Sequence, residues 1–153
     1  MILVDTSALA LAFRRRVKAA SKPPLGRKLR GLIEEDQPVA VPGIVLQELL
    51  SGVRSETEFD RLQDLMEGFP VVQATYEDHV AAARIANACR SAGVSVSTVD
   101  CLIAAVAIAR KSQLLTADED FGRMAPSCRG GTGPLFRIST ESSWFIEPMQ
   151  VTW

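Results

Sequence analysis

The sequence predicts an α/β fold, a three-layer sandwich in which helices flank a central, mainly parallel sheet of about five strands. Two observations predict this class. Short apolar runs typical of strands alternate along the chain with longer segments whose apolar residues recur at helical spacing. The 153 residues are also enough for one domain that buries roughly two-thirds of its unfolded surface.

The predicted strands are short runs rich in Val, Ile and Leu. In chain order they are Ile2–Val4, Val39–Val41, Val71–Gln73, Leu114–Leu115 and Leu135–Ile138. The predicted helices lie between them and cover Ser7 to about Arg16, Gly26–Glu35, Ile44–Val53, Glu56–Gly68, Glu77–Ala92 and Thr98–Ser112. The helix over Glu77–Ala92 is expected to stop at Gly93, because glycine readily adopts the left-handed conformation that ends helices.

A single domain is expected over residues 1–153, with a core of about residues 1–139 and a C-terminal tail over residues 140–153. Two loops are predicted, Lys18–Gly26 with its adjacent prolines and the glycine-rich Cys128–Pro134. The tail is rich in large apolar side chains. It either packs on its own domain or covers a partner, and the sequence leaves both readings open.

Composition and motifs argue against several classes of protein. No apolar run approaches the ~20 residues that span a bilayer, and no basic segment precedes the first apolar run, so no signal peptide is expected. We therefore expect a cytoplasmic protein without a membrane segment. The three cysteines are an odd number and two of them lie in helical patterns, which indicates reduced, buried thiols. They include no CxxC pair, which argues against a zinc site. No glycine-rich phosphate loop is present, which argues against nucleotide-dependent chemistry.

Charge is distributed unevenly along the chain. Residues 1–30 contain eight Lys or Arg and one acidic residue, a net charge of +7. Residues 31–153 contain nine basic and seventeen acidic residues, a net charge of −8. This asymmetry indicates a polyanion as the partner of one face, although a solvated loop is the ordinary alternative. The candidate residues for contacts with such a polyanion are Arg14, Arg15, Arg16 and Lys18.

Four acidic residues stand at the end of an apolar run or near the start of a helical segment: Asp5, Glu48, Asp100 and Asp118. Asp5 and Asp118 follow predicted strands, and ligands of a parallel α/β sheet bind outside the carboxyl ends of the strands. Each acid also has an ordinary explanation as a helix cap, a helix-dipole partner, a surface residue or a turn residue. One shared site explains all four together, because a carboxylate in apolar surroundings needs compensation.

A divalent cation would compensate all four carboxylates at once. Hard cations such as Mg²⁺ and Mn²⁺ take oxygen ligands, and such a site suits phosphodiester hydrolysis because the metal activates water and stabilises the leaving oxygen. The sequence offers no covalent nucleophile paired with a base, and its single histidine, His79, lies in a polar stretch. The sequence therefore predicts a Mg²⁺- or Mn²⁺-dependent hydrolase.

Four sequence blocks resemble the PIN domain family, and more closely its VapC-type toxins. The blocks are Ile2–Ser7, Val45–Gly52, Val96–Ala105 and Leu114–Phe121, and their order and spacing fit over about residues 1–139. The resemblance implies a PIN-like fold and a Mg²⁺- or Mn²⁺-dependent ribonuclease. By residue, it implies that Asp5, Glu48, Asp100 and Asp118 bind the metal and that Thr6, Ser7, Thr116 and Asp120 are supporting polar groups.

The resemblance also implies partners. Members of this family cleave structured RNA such as tRNA or ribosomal RNA, are blocked by a cognate VapB-type antitoxin, and usually form homodimers. The basic stretch Arg14–Arg30 is longer than the connection usual in the family. It could lie beside the site and supply phosphate contacts. Two other functions stay open, a PIN nuclease in RNA processing without a toxin role and a non-catalytic RNA-binding module.

Overall fold

The computed structural model describes residues 1–13, 24–127, 129–130, 133–134, 136–138 and 145–148. The predicted RNA-binding residues lie outside this part of the chain: Arg14, Arg15, Arg16 and Lys18. Among the described helices, none combines the length and the apolar character needed to cross a membrane.

Strands and helices alternate along the described chain as expected. The strands are β1 (Ile2–Val4), β2 (Val39–Pro42), β3 (Val71–Val72), β4 (Gln113–Leu115), β5 (Arg129–Gly130), β6 (Gly133–Pro134), β7 (Phe136–Ile138) and β8 (Phe145–Pro148). The helices are α1 (Thr6–Phe13), α2 (Pro24–Glu34), α3 (Gly43–Ser51), α4 (Glu56–Met66), α5 (Tyr76–Ser91), α6 (Thr98–Ala109) and α7 (Asp120–Met124), and a 3₁₀ turn follows at Ala125–Ser127.

The central sheet confirms the predicted fold class. Its strands lie in the order β3-β2-β1-β4-β8-β7. The first four are parallel to one another, whereas β8 and β7 extend the sheet in antiparallel orientation. The parallel part thus has four strands in the described chain, where about five mainly parallel strands were expected. The residues between β7 and β8 are too few for the crossover that a parallel pair requires, so these strands pair antiparallel.

Strand β8 bears on the two readings of the C-terminal tail. Its residues pair with β4 in the register Leu114 with Ile146 and Leu115 with Phe145. A segment of the tail therefore joins the sheet of its own domain. This strand was not predicted, because its pairing partner lies about thirty residues away in sequence.

Helix α6 lies at the centre of the core. All its residues from Cys101 to Ala107 are buried, because they are apolar around the whole circumference of the helix. Helix α5 and strand β4 pack against it, and the residues of β1 are also buried in the core. Cys89 and Cys101, the cysteines in the described chain, are free and buried, as the sequence predicts. Asp100 consequently stands in the first turn of a helix whose next seven residues are all buried.

Local capping sets the ends of α5 and α6. Thr75 and Asp78 form a reciprocal capping box at the start of α5. Gly93, just after α5, has a φ of 72°, which confirms the predicted stop. Ser97 caps α6, because its hydroxyl oxygen accepts a hydrogen bond of 3.0 Å from the backbone N–H of Asp100.

A bidentate ion pair joins the start of α5 to the residue after α6. Arg110 Nη2 lies 2.8 Å from Asp78 Oδ2, and Nη1 donates to Asp78 Oδ1 at 2.8 Å. Arg110 also donates to the carbonyl oxygen of Gln73 at 3.0 Å. The hydrogen bonds from Arg110 hold the pKa of the buried Asp78 below its usual value, although burial acts in the opposite direction. The pair therefore fixes the α5–α6 hairpin on which Asp100 stands.

Helices α1 and α2 approach each other closely at Gly26. A Cβ atom at this position would lie 2.8 Å from the carbonyl oxygen of Leu11 in α1, so only glycine fits without a shift. The described part of α2 starts at Pro24, two residues before the predicted start at Gly26. The contact holds α2 against the helix that follows Asp5.

Candidate metal centre

The carboxyl ends of β1 and β4 lie side by side, and two of the predicted acids, Asp5 and Asp118, follow them. Val4 pairs with Leu115 in the parallel register, and the backbone N–H of Asp5 donates to the carbonyl oxygen of Leu115 at 3.0 Å. Asp5 follows β1, and Asp118 lies in the loop after β4. The structure thus brings these two acids to the edge where ligands bind in parallel α/β sheets.

Asp5 is buried, with a relative exposure of 4%, and hydroxyl groups satisfy one of its oxygens. Asp5 Oδ2 accepts hydrogen bonds from Ser7 Oγ at 2.6 Å and from Thr116 Oγ1 at 2.9 Å. Within the described part of the chain, no hydrogen bond to Oδ1 is found. The hydroxyls offset the cost of burying the charge and leave the second oxygen for a ligand.

The same two hydroxyls also fix the loop after β4. Ser7 Oγ accepts a hydrogen bond from the backbone N–H of Ala117 at 2.9 Å. Thr116 Oγ1 accepts one from the backbone N–H of Asp118, also at 2.9 Å. Each hydroxyl donates to Asp5 and accepts from the loop, so the position of Asp118 depends on Asp5 across more than a hundred residues of sequence.

Asp100, Asp118 and Asp120 form a compact group of acids. One carboxylate oxygen from each lies within 4.8 Å of the others. Ser97 Oγ donates to Asp100 Oδ2 at 2.5 Å, and the backbone N–H of Asp120 donates to Asp118 Oδ1 at 2.8 Å. Donors of the protein itself thus hold the carboxylates of Asp100 and Asp118 in place.

The electrostatics of Asp100 reflect its acidic neighbours. Burial raises its pKa above the ordinary value, and the negative charges of Asp118 and Asp5 raise it further, whereas the hydrogen bond from Ser97 acts in the opposite direction. Burial and like charges both disfavour an ionised carboxylate. A cation among these side chains would reverse that effect, because it favours the charged form.

Glu48 is joined to the site through a neighbour of Asp5. Thr6 Oγ1 donates to Glu48 Oε2 at 2.8 Å, which links the first residue of α1 to the middle of α3. Glu48 is exposed and does not belong to the compact group of three. Its carboxylate is nevertheless anchored beside the edge that carries Asp5.

Asp120 has a charged partner that the sequence reasoning missed. Arg123 Nη2 lies 2.7 Å from Asp120 Oδ1, with side-chain exposures of 65% and 29%, respectively. Both residues belong to α7, a short helix that was not among the predicted elements. The spacing of three residues was a signal for this pair, because residues three apart are neighbours on a helix.

The structure regroups the predicted site residues. Asp120, predicted as a supporting group, stands in the compact group with Asp100 and Asp118, and Asp5 and Glu48 join through hydroxyl-bearing side chains. Thr6, Ser7 and Thr116 each donate a hydrogen bond to one of the predicted acids, and their supporting roles stay a prediction. The donor set consists of carboxylate oxygens, which fits a hard divalent cation such as Mg²⁺ or Mn²⁺.

The fold and the site belong to a chain that matches a known protein family. The PIN domain family matches residues 2–126, and the chain belongs to this family. Ribonuclease VapC11 of Mycobacterium tuberculosis is 36% identical over 127 residues, which cover 82% of this chain and 92% of that protein. VapC ribonuclease Mb1587 of Mycobacterium bovis matches with the same identity and coverage.

Solved structures with the same fold come from several bacteria. FitAcB from Neisseria gonorrhoeae aligns with a TM-score of 0.64 and 21% identity over 81% of this chain and 93% of that chain. VapBC-1 from nontypeable Haemophilus influenzae aligns with a TM-score of 0.64 and 18% identity over 81% and 92%. VapBC2 from Rickettsia felis, bound to a promoter DNA fragment, has a TM-score of 0.61, 18% identity and coverages of 78% and 89%. At these identities the likeness shows the fold.

Proposed function

We propose that this PIN-domain protein is a metal-dependent endoribonuclease that acts as the toxin of a VapBC-type toxin–antitoxin pair. The observation that carries the proposal is the assembly of acids from separate chain segments at one edge of the sheet, held by hydroxyl and backbone donors. Its chemical identity is supported by the relatives named VapC ribonucleases at 36% identity. Residues 1–153 are proposed to act as one domain, of which the family match covers 2–126.

The proposed metal ligands are Asp5, Glu48, Asp100 and Asp118, as the sequence predicts. Asp120 is added to them because its carboxylate stands in the compact group with those of Asp100 and Asp118. When bound, Mg²⁺ or Mn²⁺ would lower the pKa of a water and stabilise negative charge on a phosphate. The contribution of the protein is preorganisation. Its hydroxyl and backbone donors fix the carboxylates before substrate arrives, so little reorganisation is needed during the reaction.

RNA would need basic groups near this acidic edge, because the acids repel phosphates. Helix α2 carries Arg27, Lys28 and Arg30 on exposed positions, and it packs against α1, the helix that follows Asp5. We infer that these residues, with Arg14–Lys18, make sequence-independent contacts with the RNA backbone. Tightly folded substrates such as tRNA or ribosomal RNA are the expected class, and the cytoplasm is the expected compartment.

The proposed inhibitor is a VapB-type antitoxin, in line with the VapBC and FitAcB structures that share the fold. An acidic site of this kind is blocked most directly by an inserted Arg or Lys, whose charge-assisted hydrogen bonds replace the metal. A homodimer is the proposed assembly. Size measurement of the purified protein with and without its antitoxin tests both statements.

The decisive experiment compares three variants in an RNA cleavage assay with added Mg²⁺ or Mn²⁺. Asp5→Asn and Asp118→Asn should abolish cleavage while the far-ultraviolet circular dichroism stays that of the parent. The control is Asp64→Asn, because Asp64 is an exposed acid on α4 outside the acidic group. A chelator should stop cleavage by the parent. Cleavage at the parental rate by both Asp5→Asn and Asp118→Asn, each purified to the same standard as the parent, would refute the role of the acids.

A second experiment separates the toxin from an RNA-processing nuclease. Expression of the parent should arrest growth, Asp5→Asn should not, and co-expression of the cognate antitoxin should restore growth. Mapping of cleavage sites in total RNA after brief expression then identifies the substrate. Normal growth with active parent protein would favour the processing role, and RNA binding without chelator-sensitive cleavage would favour the non-catalytic module.

A further inference from the structure

The acids of the site differ in the kind of donor that holds them. Each has one oxygen engaged by a protein group. Uncharged donors hold four of them. Side-chain hydroxyls donate to Asp5 (from Ser7 and Thr116), to Glu48 (from Thr6) and to Asp100 (from Ser97). The backbone N–H of residue 120 donates to Asp118. Asp120 is different, because a guanidinium holds it. Uncharged donors leave the negative charge of a carboxylate in place, whereas a guanidinium neutralises it.

Asp120 is at the same time a member of the compact group. Its carboxylate lies within 4.8 Å of those of Asp100 and Asp118, and its Oδ1 lies 2.7 Å from Arg123 Nη2. One side chain therefore faces both the position suited to a divalent cation and a cation of the protein itself. The two cations would share one carboxylate.

Two positive charges that share a carboxylate oppose each other. In the metal-free protein Arg123 offsets the mutual repulsion of the three acids, which stabilises that state. In the metal-bound protein the ion has already offset this repulsion, and the guanidinium repels the ion. By thermodynamic linkage, the free energy by which Arg123 stabilises the metal-free protein relative to the metal-bound protein is subtracted from the free energy of metal binding. Arg123 therefore weakens metal binding by that amount.

We propose that Arg123 is a positioning residue that competes with the divalent cation for Asp120 and thereby lowers the metal affinity of the site. The inference rests on the proposed function in so far as it assumes a metal site at these acids. Its consequence is a site that stays assembled without metal and fills at a higher metal concentration than the acids alone would require.

The test measures binding of Mn²⁺ alone, without RNA, to Arg123→Gln by calorimetry at low ionic strength. We expect binding that is about 1.5- to 5-fold tighter than in the parent, the range that corresponds to an exposed ion pair. The gain should shrink at high salt, because salt screens exposed charges. Arg123→Lys keeps the positive charge and should bind Mn²⁺ close to the parental affinity.

The chain contains a matched control for this variant. Arg61 and Glu58 form an ion pair of 2.6 Å, also three residues apart on a helix, with side-chain exposures of 31% and 28%. They lie on α4, outside the acidic group. Arg61→Gln should therefore leave the Mn²⁺ affinity unchanged. The rise in melting temperature on addition of Mn²⁺, a second measurement, should be larger for Arg123→Gln than for the parent or Arg61→Gln.

Each result has a separate meaning. Unchanged or weaker Mn²⁺ binding by Arg123→Gln would overturn the role of Arg123, even if the parent cleaves RNA as proposed. An equal gain in Arg61→Gln would overturn it too, since the effect would then be one of general charge. If Arg123→Gln binds Mn²⁺ more tightly but the parent cleaves no RNA, the competition stands and the proposed ribonuclease function fails. Failure of the parent to bind Mn²⁺ overturns both.

Discussion

Replacing Thr116 with valine removes one hydroxyl from the centre of the site while keeping the shape of the side chain. Thr116 is buried, with 4% relative exposure. Its hydroxyl donates to Asp5 Oδ2 at 2.9 Å and accepts from the backbone N–H of Asp118 at 2.9 Å. The variant therefore tests whether the link between β1 and the loop after β4 stabilises the protein and orders the site.

The size of the effect follows from the two hydrogen bonds. A bond to a charged group contributes about 1.5 to 3 kcal/mol, and a bond between neutral groups contributes about 0.5 to 1.5 kcal/mol. Ser7 still donates to Asp5 in the variant, so the carboxylate keeps one strong partner. We expect the free energy of unfolding of Thr116→Val to fall by about 2 to 4 kcal/mol.

Equilibrium unfolding in urea with a chelator present measures this loss without any contribution from metal. Ser112→Ala is the control, because Ser112 is also buried, at 1% exposure, but its hydroxyl makes only a bond of 3.3 Å to the carbonyl oxygen of Arg110. This control should lose less than about 1 kcal/mol. A loss by Thr116→Val no larger than that of the control would refute the reasoning.

Three further predictions test the scaffold and the charge of the site. Arg110→Met should lower the free energy of unfolding by about 2 to 3 kcal/mol, because it leaves the buried Asp78 without its counter-charge. This is less than the loss of about 3 to 5 kcal/mol for a fully buried pair, since the Arg110 side chain is 25% exposed. The folded-state pKa of Asp78 is lowered, so the parent has this extra stability above the ordinary aspartate pKa and loses it as pH falls through the folded-state pKa. The free energies of unfolding of the parent and the variant, measured in urea, should therefore converge at acid pH. Gly26→Ala should lower the free energy of unfolding by about 1 to 3 kcal/mol, seen as a lower melting temperature. Gly31→Ala on the same helix, where a Cβ would meet nothing within 4 Å, should raise the free energy of unfolding by up to about 1 kcal/mol. Asp100→Asn should make the metal-free protein more stable than the parent at neutral pH. The pKa of Asp100 is raised, so the parent loses stability as pH rises from the ordinary aspartate pKa through the raised one. An equal pH dependence of the free energy of unfolding for both proteins would contradict this.

Local patterns were sufficient to predict most elements of the fold. The alternation of apolar runs with helical segments gave β1 to β4 and α2 to α6 within a few residues, because burial, capping and turn chemistry act between near neighbours. Gly93 and Ser97 are examples of stops and caps that can be read directly from the chain. The pairing of β7 with β8 and the short helix α7 were not predicted, since neither carries a strong local pattern.

The sequence by itself determined which acids to consider and the class of chemistry they suit: Asp5, Glu48, Asp100 and Asp118, each in a local context where a carboxylate needs compensation. Only the tertiary structure decided which oxygens are engaged and which acids stand together. Asp120 joins Asp100 and Asp118, and Thr116 links Asp5 to Asp118. These contacts join residues that are far apart in sequence, so they depend on strand register and on the packing of α6 against the sheet, which no local pattern encodes.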